Sequence, residues 1–496
     1  MLLLTLDLLV LCALIALSSY HLRRPRQVSF PPGPKPYPII GNILELPLGK
    51  PWETYARWGR IYGSDILHAQ ALGNHILIIN SHKIAKDLLE RRAQAYSDRP
   101  HIPMIELLDW QNFNTVLMPY GGLWRRHRHI FQRVFRRDII QDYHPILLTK
   151  TNEFLQNLLV NPDDFILHCR TVSAAIVMKV VYNLDIKSPD DRYVVLAERA
   201  LLAASENLLP GSSIVNIFPA LRHLPSWFPG CRFHRVAEAC RKMTLEMRQA
   251  PSNVVKQAVR SGQSSSSILG RLFEECKKGG KPADEEKVMI DVASIAYAGG
   301  ADTTVSSVTT FFLAMALNPT VQERALSELD RVLGPGCLPT FEDRASLPYI
   351  EAIYHEVLRW HPAVPLCVPH ATLEDDVYEG WTIPKGTVVI PNIWAMTRDE
   401  DIFPDPETFR PERFLSDTAI LEKDLAYGFG RRVCAGSNFA SATLWIIIAS
   451  VLSKFTITRA RGLDGQEIDI ATEFTDGAIS HPKPFKCAIQ PRSTKA

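Results

Sequence analysis

The sequence contains no Cys-x-x-Cys pair, although it has nine cysteines among its 496 residues. Without such pairs, neither a zinc site nor a disulfide scaffold is expected, and the scattered thiols fit a reducing compartment. Strong charge of one sign is also missing: the formal net charge is +2, which gives no reason to expect a nucleic-acid partner. The chain shows no strand-Gly-x-Gly-x-x-Gly-helix unit, so no nicotinamide- or flavin-binding domain is predicted.

Internal repeats and interdomain linkers are lacking too. The longest Ser/Gly-rich stretch, Ser261–Ser267, is short and lies between helical patterns, so it is interpreted as a loop. A hydrophobic content of 46% supports one large core. Residues 39–496 are therefore predicted to form a single domain.

Helical periodicity dominates the middle of the chain. It runs from residue 83 to residue 333 with proline-containing interruptions, and it also covers Pro51 to Tyr62. Two apolar runs, 66–72 and 75–80, flank Gly73-Asn74 and predict a β-hairpin. The C-terminal part alternates helices with short strands. The predicted fold class is mainly α with small β-sheets, in the α+β class.

The N-terminus is strongly apolar. Residues 2–17, extendable to Tyr20, contain only two polar side chains and are nearly as long as the ~20 residues that cross a bilayer. Arginines follow this run and none precedes it, which predicts a single-pass membrane anchor over residues 1–20, with the remaining chain on the cytoplasmic side. A cleaved signal sequence is the alternative. Residues 21–38 are basic and proline-rich and are interpreted as a hinge.

One cysteine has unusual neighbours. Cys434 lies between Gly430 and Gly436, directly ahead of an apolar helical pattern that starts near Asn438. The glycines allow the backbone to fold tightly around the sulfur, and the positive end of the helix dipole favours a thiolate there. Such a thiolate suits the axial ligand of a haem iron, where it promotes cleavage of the O–O bond. A buried structural cysteine in a tight turn is the plain alternative.

The flanking pattern Tyr427-x-x-Gly430-x-Arg432-x-Cys434-x-Gly436 resembles the haem-binding loop of the cytochrome P-450 monooxygenases. That family usually has phenylalanine where this chain has Tyr427, whose hydroxyl offers an additional hydrogen bond near the sulfur. The resemblance implies haem b as the cofactor, Cys434 as its axial ligand, and a haem-thiolate catalytic domain over residues 39–496. The style of the chain is similar to that of fungal membrane-bound members.

A long helix is predicted from Asp284 to Leu317, about 50 Å at 1.5 Å per residue. Two adjacent glycines in its middle are costly, so they either let a flat macrocycle approach the backbone or let two helices pack closely. The stretch Gly299–Thr304 resembles the oxygen-activating motif of the same family. By that resemblance, Asp302 and Thr303 relay protons to dioxygen.

An ionic cluster is expected behind the cysteine loop. Glu356 and Arg359 are three apart in a helical run, so their side chains share a face and can pair. Together with Arg413 in a Pro-Glu-Arg-Phe sequence, they resemble the motifs that lock the scaffold of this family. The resemblance further implies that Trp124, Arg128, His370 and Arg432 bind the haem propionates.

The resemblance implies a monooxygenase that inserts one oxygen atom from O2 into a hydrophobic small molecule, such as a terpenoid, steroid, polyketide or aromatic compound, in secondary metabolism or detoxification. Electrons would come from NADPH through a separate flavoprotein reductase in the same membrane, by analogy the endoplasmic reticulum. The predicted pocket lining is residues 97–118, the helix near Ala298, residues 363–366 and residues 474–479. A haem-thiolate isomerase or dehydratase and a non-catalytic membrane haem-binding protein are the alternatives.

Two segments are candidate interaction surfaces. Residues 209–230 carry apolar side chains among prolines, so they either dip into membrane lipid or pack on the core. Residues 124–137 place six arginines on one predicted helix, which is expected to dock an acidic electron-donor protein. A solvated charged face is the simpler interpretation of that helix.

Overall fold

We describe a computed structural model of the protein, covering residues 29–205, 213–263, 266–279, 283–415 and 425–492. The predicted anchor over residues 1–20 and residues 21–28 of the predicted hinge lie outside the described residues. In chain order the helices are α1 Pro51–Tyr62, α2 His82–Lys86, α3 Ala93–Tyr96, α4 Pro103–Leu107, α5 Gly122–Phe135, α6 His144–Val160, α7 Phe165–Tyr182, α8 Arg192–Ser205, α9 Ile214–Ile217, α10 Phe233–Arg260, α11 Ile268–Lys278, α12 Ala283–Leu317, α13 Pro319–Leu333, α14 Pro348–Trp360, α15 Ile393–Met396 and α16 Ser437–Lys454.

The strands are short: β1 Ile66–Ala71, β2 Asn74–Ile79, β3 His370–Ala371, β4 Asp376–Tyr378, β5 Trp381–Ile383, β6 Val388–Pro391, β7 Phe455–Arg459 and β8 Cys487–Pro491. They form one four-stranded sheet, in the order β1-β2-β6-β3, and the pairs β4-β5 and β7-β8. The prediction of a mainly α fold with small sheets is therefore confirmed. The parallel pairing of β2 with β6, Ile76 opposite Val388, joins the N-terminal hairpin to the second half of the chain.

The predicted hairpin forms, but its turn is shifted by one residue. Ala71 pairs with Asn74, so the two turn residues are Leu72 and Gly73, not Gly73 and Asn74. Both have positive φ angles, 50° and 84°, which a two-residue turn needs to match the twist of its strands. Gly73 meets this requirement without a steric cost, whereas Leu72 carries a Cβ that makes the same conformation unfavourable.

The helix α12 is the central element of the fold, and it packs lengthwise against α7. Most residues of α7 are buried, which fits its apolar composition. Within the described part of the chain, one helical segment, Pro162–Tyr182, is long and apolar enough to span a membrane, and 72% of its apolar window is buried inside the protein. That degree of burial is typical of a core helix rather than a membrane span.

Candidate active site

The cysteine loop is shaped by backbone contacts that require its glycines. The N–H of Cys434 donates to the carbonyl of Tyr427 at 2.9 Å, which closes the loop. Gly430 has a φ of 54°, and a Cβ at that position would meet the carbonyl oxygen of Leu89 at 2.0 Å. Gly436 follows as the N-cap of α16. The side chain of Cys434 is solvent-accessible, although protein surrounds the loop. The loop therefore holds the sulfur of Cys434 in a fixed position.

Two opposing effects act on this sulfur. Burial raises the pKa of the Cys434 thiol, whereas the N–H of Gly436 and the charge of Arg128 lower it and offset burial only in part. The predicted contribution of the loop and helix terminus is therefore present, but it does not outweigh burial. The physical reason is that desolvation of the anion outweighs one backbone hydrogen bond and one nearby cation. A directly bound metal ion deprotonates a thiol outright.

Three of the four residues predicted to bind propionates lie in contact around this loop. Arg128 donates to the carbonyl of Val433, next to the cysteine, at 2.6 Å. The guanidinium of Arg432 lies 4.6 Å from the centre of the Trp124 ring. It also donates to backbone carbonyls of the segment that was predicted to line the pocket, those of Ser97, Thr115 and Met118. Burial, assisted by Arg99, lowers the pKa of Arg432 to about 8.

Arg99 is a further member of this cluster that sequence reasoning missed. Its buried guanidinium donates to the carbonyls of Val116, Val368 and Pro369. Burial lowers its pKa to about 10. Its only signal in the sequence was its position in the loop predicted to line the pocket. Among the described residues, no carboxylate lies within ion-pair distance of the guanidinium groups of residues 99, 128 and 432.

His370 is the fourth predicted propionate ligand. It is buried, and its Nδ1 lies 2.8 Å from the carbonyl of Tyr96, while its Nε2 has no hydrogen-bond partner among the described atoms. Burial lowers its pKa well below the usual value. A neutral His370 that donates through Nδ1 has only an acceptor at Nε2. It would therefore bind a propionate only after taking up a second proton, which an adjacent anion favours.

These observations test whether haem fits the residues present. Buried cations without carboxylate partners are costly unless an anion compensates them, and a buried neutral imidazole nitrogen without a partner carries a smaller cost. Haem supplies two carboxylates for the cations and an iron for the cysteine sulfur. The donor set around residues 99, 128, 370, 432 and 434 therefore fits this cofactor.

The two adjacent glycines in the middle of α12 have different surroundings. Residues 299–303 are partly accessible, whereas the residues on both sides are mostly buried. A Cβ on Gly300 would lie 3.0 Å from a methyl of Val177 on α7, but a Cβ on Gly299 would meet no atom within 4 Å. One glycine therefore permits close helix packing, and the other faces open space. The helix-packing explanation therefore applies to Gly300, while approach of a flat macrocycle to Gly299 stays a prediction.

The polar side chains predicted to relay protons belong to this accessible stretch. The hydroxyl of Thr303 donates to the carbonyl of Gly299 at 2.7 Å, one turn earlier. Asp302 is partly accessible, and its Oδ1 lies 3.2 Å from Nε2 of His481 in the C-terminal part of the chain. Sequence reasoning missed His481, because a single histidine outside any motif carries no local signal.

The predicted ionic cluster is formed in full. The carboxylate of Glu356 is completely buried and accepts two hydrogen bonds from Arg359, at 2.6 and 2.8 Å. Arg413 donates to the same carboxylate at 3.2 Å, and the backbone N–H of Arg410 adds a bond of 2.7 Å. Because both carboxylate oxygens are already hydrogen-bonded, we expect the cluster to stabilise the fold and not to take part in the reaction.

Tyr427 connects the cysteine loop to this cluster. Its hydroxyl lies 2.8 Å from the hydroxyl of Tyr354 on α14, two residues before Glu356. The additional oxygen that distinguishes this chain from the usual phenylalanine therefore bonds to the helix behind the loop. This hydrogen bond links the cysteine loop directly to α14, the helix that carries the ionic cluster.

The basic helix is shorter than predicted. The helix α5 ends at Phe135, and Arg136 has extended backbone angles, so Arg136 and Arg137 lie beyond it. Arg126 pairs with Glu285 at 3.1 Å, and Arg133 pairs with Glu275 at 3.1 Å. The positive charge that was predicted to dock an electron-donor protein is therefore partly neutralised by ion pairs within the protein itself.

Comparison with known proteins agrees with this site. The chain matches the family described as Cytochrome P450 over residues 31–489. It is 41% identical over 472 residues to cytochrome P450 monooxygenase ple1 of Rhodocybe pseudopiperita, covering 94% of this chain and 90% of that protein. It is 38% identical over 485 residues to cytochrome P450 monooxygenase COX1 of Coprinopsis cinerea, covering 95% and 93%. It is also 38% identical over 491 residues to cytochrome P450 monooxygenase claR of Ampulloclitocybe clavipes, covering 97% and 90%.

The chain therefore belongs to the cytochrome P450 family, whose cofactor is haem held by a cysteine thiolate. Within that family it is a monooxygenase similar to those of fungi. The expected reaction class and cofactor are thereby confirmed, as is the general need for O2, a small-molecule substrate and a redox partner.

Proposed function

We propose that this monooxygenase oxidises a hydrophobic small molecule, with Cys434 binding the haem iron and Asp302 and Thr303 delivering protons. The observation that carries the proposal is the accessible stretch 299–303 in the middle of an otherwise buried helix, where these two polar side chains stand beside Gly299. When bound, haem supplies the chemistry that activates dioxygen. The residues of this chain supply the protons, the orientation of the substrate and the exclusion of water.

The predicted pocket segments support the hydrophobic character of the substrate. The C-terminal loop is joined to the predicted turn by a hydrogen bond of 2.9 Å from the N–H of Ser480 to the carbonyl of Ala363. It is joined to α12 by a bond of 2.5 Å from the hydroxyl of Ser306 to the carbonyl of Ser480. Partly accessible residues near these contacts, such as Leu366 and Ile479, are apolar. Terpenoids, steroids, polyketides and aromatic compounds, from secondary metabolism or detoxification, are the proposed classes.

The test of this proposal is reconstitution of the purified holoenzyme with an NADPH-dependent flavoprotein reductase and a panel of compounds from those four classes. Product formation that consumes both NADPH and O2 supports the proposal. Turnover of an already oxidised lipid without NADPH would instead identify an isomerase or dehydratase. Haem binding without turnover of any panel compound would contradict the proposed substrate classes.

Replacement of Thr303 with alanine is expected to leave haem bound while it diverts electrons from product to peroxide. Loss of a positioned proton donor typically lowers the rate of the assisted step by about 100-fold or more. The fraction of NADPH that appears in product should therefore fall steeply, with a matching rise in peroxide, measured in the reconstituted system. Ser307, which also donates to a backbone carbonyl one turn earlier, provides the control Ser307→Ala. Unchanged coupling in Thr303→Ala would contradict the relay.

We propose that electrons arrive at the side of the cysteine loop. Arg125 and Arg137 are exposed, and no carboxylate lies within ion-pair distance of either in the described structure. Arg431, in the cysteine loop itself, is exposed and donates to the hydroxyl of Tyr120 at 2.7 Å. A positive surface attracts an acidic partner, and salt screens that attraction. The rate of reduction by the reductase should fall with rising salt, and less so in Arg125→Gln; equal salt dependence in both proteins would contradict this surface.

We propose that the protein is bound to the membrane of the endoplasmic reticulum through the anchor over residues 1–20 and, in part, through apolar residues of the segment 213–230. Val215 of that segment is buried, so the segment also packs on the core. Four of its apolar side chains are exposed: Ile214 by 44%, Phe218 by 53%, Trp227 by 79% and Phe228 by 42%. Exposed apolar side chains near a bilayer contribute affinity in proportion to the area they bury.

Deletion of residues 1–26 is expected to release much of the protein from membranes, because a spanning helix binds far more strongly than interfacial side chains. The additional changes Trp227→Ser and Phe228→Ser should release most of the remainder. Sedimentation of microsomes followed by immunoblotting measures both fractions, and protease treatment of sealed microsomes tests the cytoplasmic orientation. Full retention of the deleted protein would contradict the anchor, whereas protection from protease would contradict the orientation.

A further inference from the structure

The residues 474–482 form a closed loop, here called the C-terminal loop. Phe474 and Pro482 pair as an isolated β-bridge at its base. Above this bridge, the N–H of Thr475 donates to the carbonyl of His481 at 2.8 Å, and the N–H of His481 donates to the hydroxyl of Thr475 at 3.0 Å. Gly477 at its tip has a φ of 120°, which favours glycine. These bonds hold the loop in one shape.

The C-terminal loop is attached to α12 through two side chains of one helix face. Asp302 and Ser306 are four residues apart, so they lie above one another on the helix. Ser306 donates to the carbonyl of Ser480, and Asp302 contacts the ring of His481 at 3.2 Å. The proposed relay carboxylate is therefore bound to the same loop that is proposed to line the substrate pocket.

A second histidine nearby has a different role. The ring of His361 lies 2.8 Å from the hydroxyl of Ser480 and stacks on Phe474, with ring centres 3.4 Å apart. Burial lowers the pKa of His361 well below its usual value, so this ring stays neutral and supports the loop. His481, in contrast, is the imidazole that reaches Asp302, and both side chains retain contact with solvent, at 27% and 39% exposure.

We infer that His481 is a positioning residue for Asp302, and that through it the C-terminal loop sets the efficiency of proton delivery. This inference rests on the proposed relay. The approach of Nε2 of His481 to Oδ1 of Asp302, at 3.2 Å, fixes that oxygen at the loop. This leaves Oδ2 to take a proton from solvent water and to release it towards the side of Thr303. The step moves a proton between oxygen atoms, and no electrons are transferred. A substrate that displaces the loop also displaces the carboxylate, so substrate fit and proton delivery are coupled.

The test compares His481→Leu, which removes the ring N–H, with His481→Gln, which retains an N–H donor. Holoenzyme with reductase is given the panel compound that yields most product, and the ratio of peroxide to product is measured. Because a misplacement of about 1 Å can cost a catalytic step as much as 100-fold, His481→Leu is expected to raise this ratio about tenfold. His481→Gln should restore most of the coupling. Haem content and the spectrum of the reduced carbonyl complex should be unchanged.

Combination with Asp302→Asn separates this inference from the relay itself. Asp302→Asn should raise the peroxide ratio, and adding His481→Leu to it should change nothing further, because the histidine acts only through the carboxylate. Midpoints of thermal unfolding for the same four proteins give a second readout, in which the two changes should likewise be non-additive. A merely structural loop contact would leave the peroxide ratio of His481→Leu close to that of the wild type.

The ion pair of Lys483 with Glu473, at 2.7 Å and next to the same loop, provides the matched control. Lys483→Gln removes a comparable exposed contact and should not affect the peroxide ratio. An effect of Asp302→Asn without one of His481→Leu would overturn the inference and leave the relay standing. Additive effects in the double variant would also overturn it. An inert Asp302→Asn would refute the relay and the inference together.

Discussion

Replacement of Cys434 with alanine is expected to abolish the thiolate-type absorption of the reduced carbonyl complex and all monooxygenase turnover. The side chain of Cys434 is accessible at the end of a closed backbone loop. Without sulfur, the iron loses the electron donation that promotes O–O cleavage, and no other side chain of the loop is a soft ligand. The measurement is the absorption difference spectrum of the reduced protein with and without carbon monoxide.

The control for this change is Cys337→Ala, since Cys337 is also exposed but lies in the segment after α13. It should retain the full spectrum and full turnover. The expected loss is large because no other side chain of the loop can replace the bond from sulfur to the metal. A surviving thiolate spectrum in Cys434→Ala would show that another cysteine binds the iron, and the proposed site would then be wrong.

Replacement of Glu356 with glutamine is expected to destabilise the fold by about 3–5 kcal/mol, the usual cost of removing one partner of a buried ionic cluster. The carboxylate of Glu356 is fully buried and accepts hydrogen bonds from both Arg359 and Arg413. Without its negative charge, two guanidinium groups remain close together in a poorly solvated place. Urea unfolding of the holoenzyme measures the change, and a lower yield of haem-loaded protein should accompany it.

Glu351 on the same helix offers a matched comparison. Its carboxylate pairs with Arg344 at 2.7 Å, but both side chains are partly exposed, by 31% and 26%. Glu351 accepts a second hydrogen bond from Arg344 at 2.8 Å and lies 3.3 Å from Nε2 of His355, but solvent still reaches this carboxylate. Because solvent can replace part of what is lost, Glu351→Gln should cost less than Glu356→Gln. Equal costs for the two variants would show that burial does not determine the energetics of the cluster.

The sequence was sufficient to predict features that depend on residues close together in the chain. The glycines around Cys434 predicted the tight loop that is proposed to hold the haem ligand, because such a turn requires glycines at fixed spacing. The pairing of Glu356 with Arg359 followed from helical periodicity, which places residues three apart on one face. The hairpin also followed, except that its turn uses Leu72, because register depends on twist matching across both strands.

Long-range contacts were not predictable in the same way. Arg99 meets Val368 and Pro369, and His481 meets Asp302, across large separations in the chain. No periodicity connects such residues, because their approach is decided by how helices and loops pack. The prediction that Arg136 and Arg137 are helical was wrong for a related reason. The pattern of charged residues continues past Phe135, whereas the helix ends there and the backbone becomes extended.

By itself, the amino-acid sequence determined the mainly helical fold class, the cysteine that is proposed to bind haem, and the acidic and hydroxyl side chains of the central helix, because each depends on residue type and short spacing. Only the tertiary structure determined how charges balance around the sulfur and how Asp302 is attached to the C-terminal loop. It also placed the guanidinium group of Arg99 where no described carboxylate pairs with it. The physical reason is that desolvation and side-chain partners depend on neighbours in space, which folding brings together from distant parts of the chain.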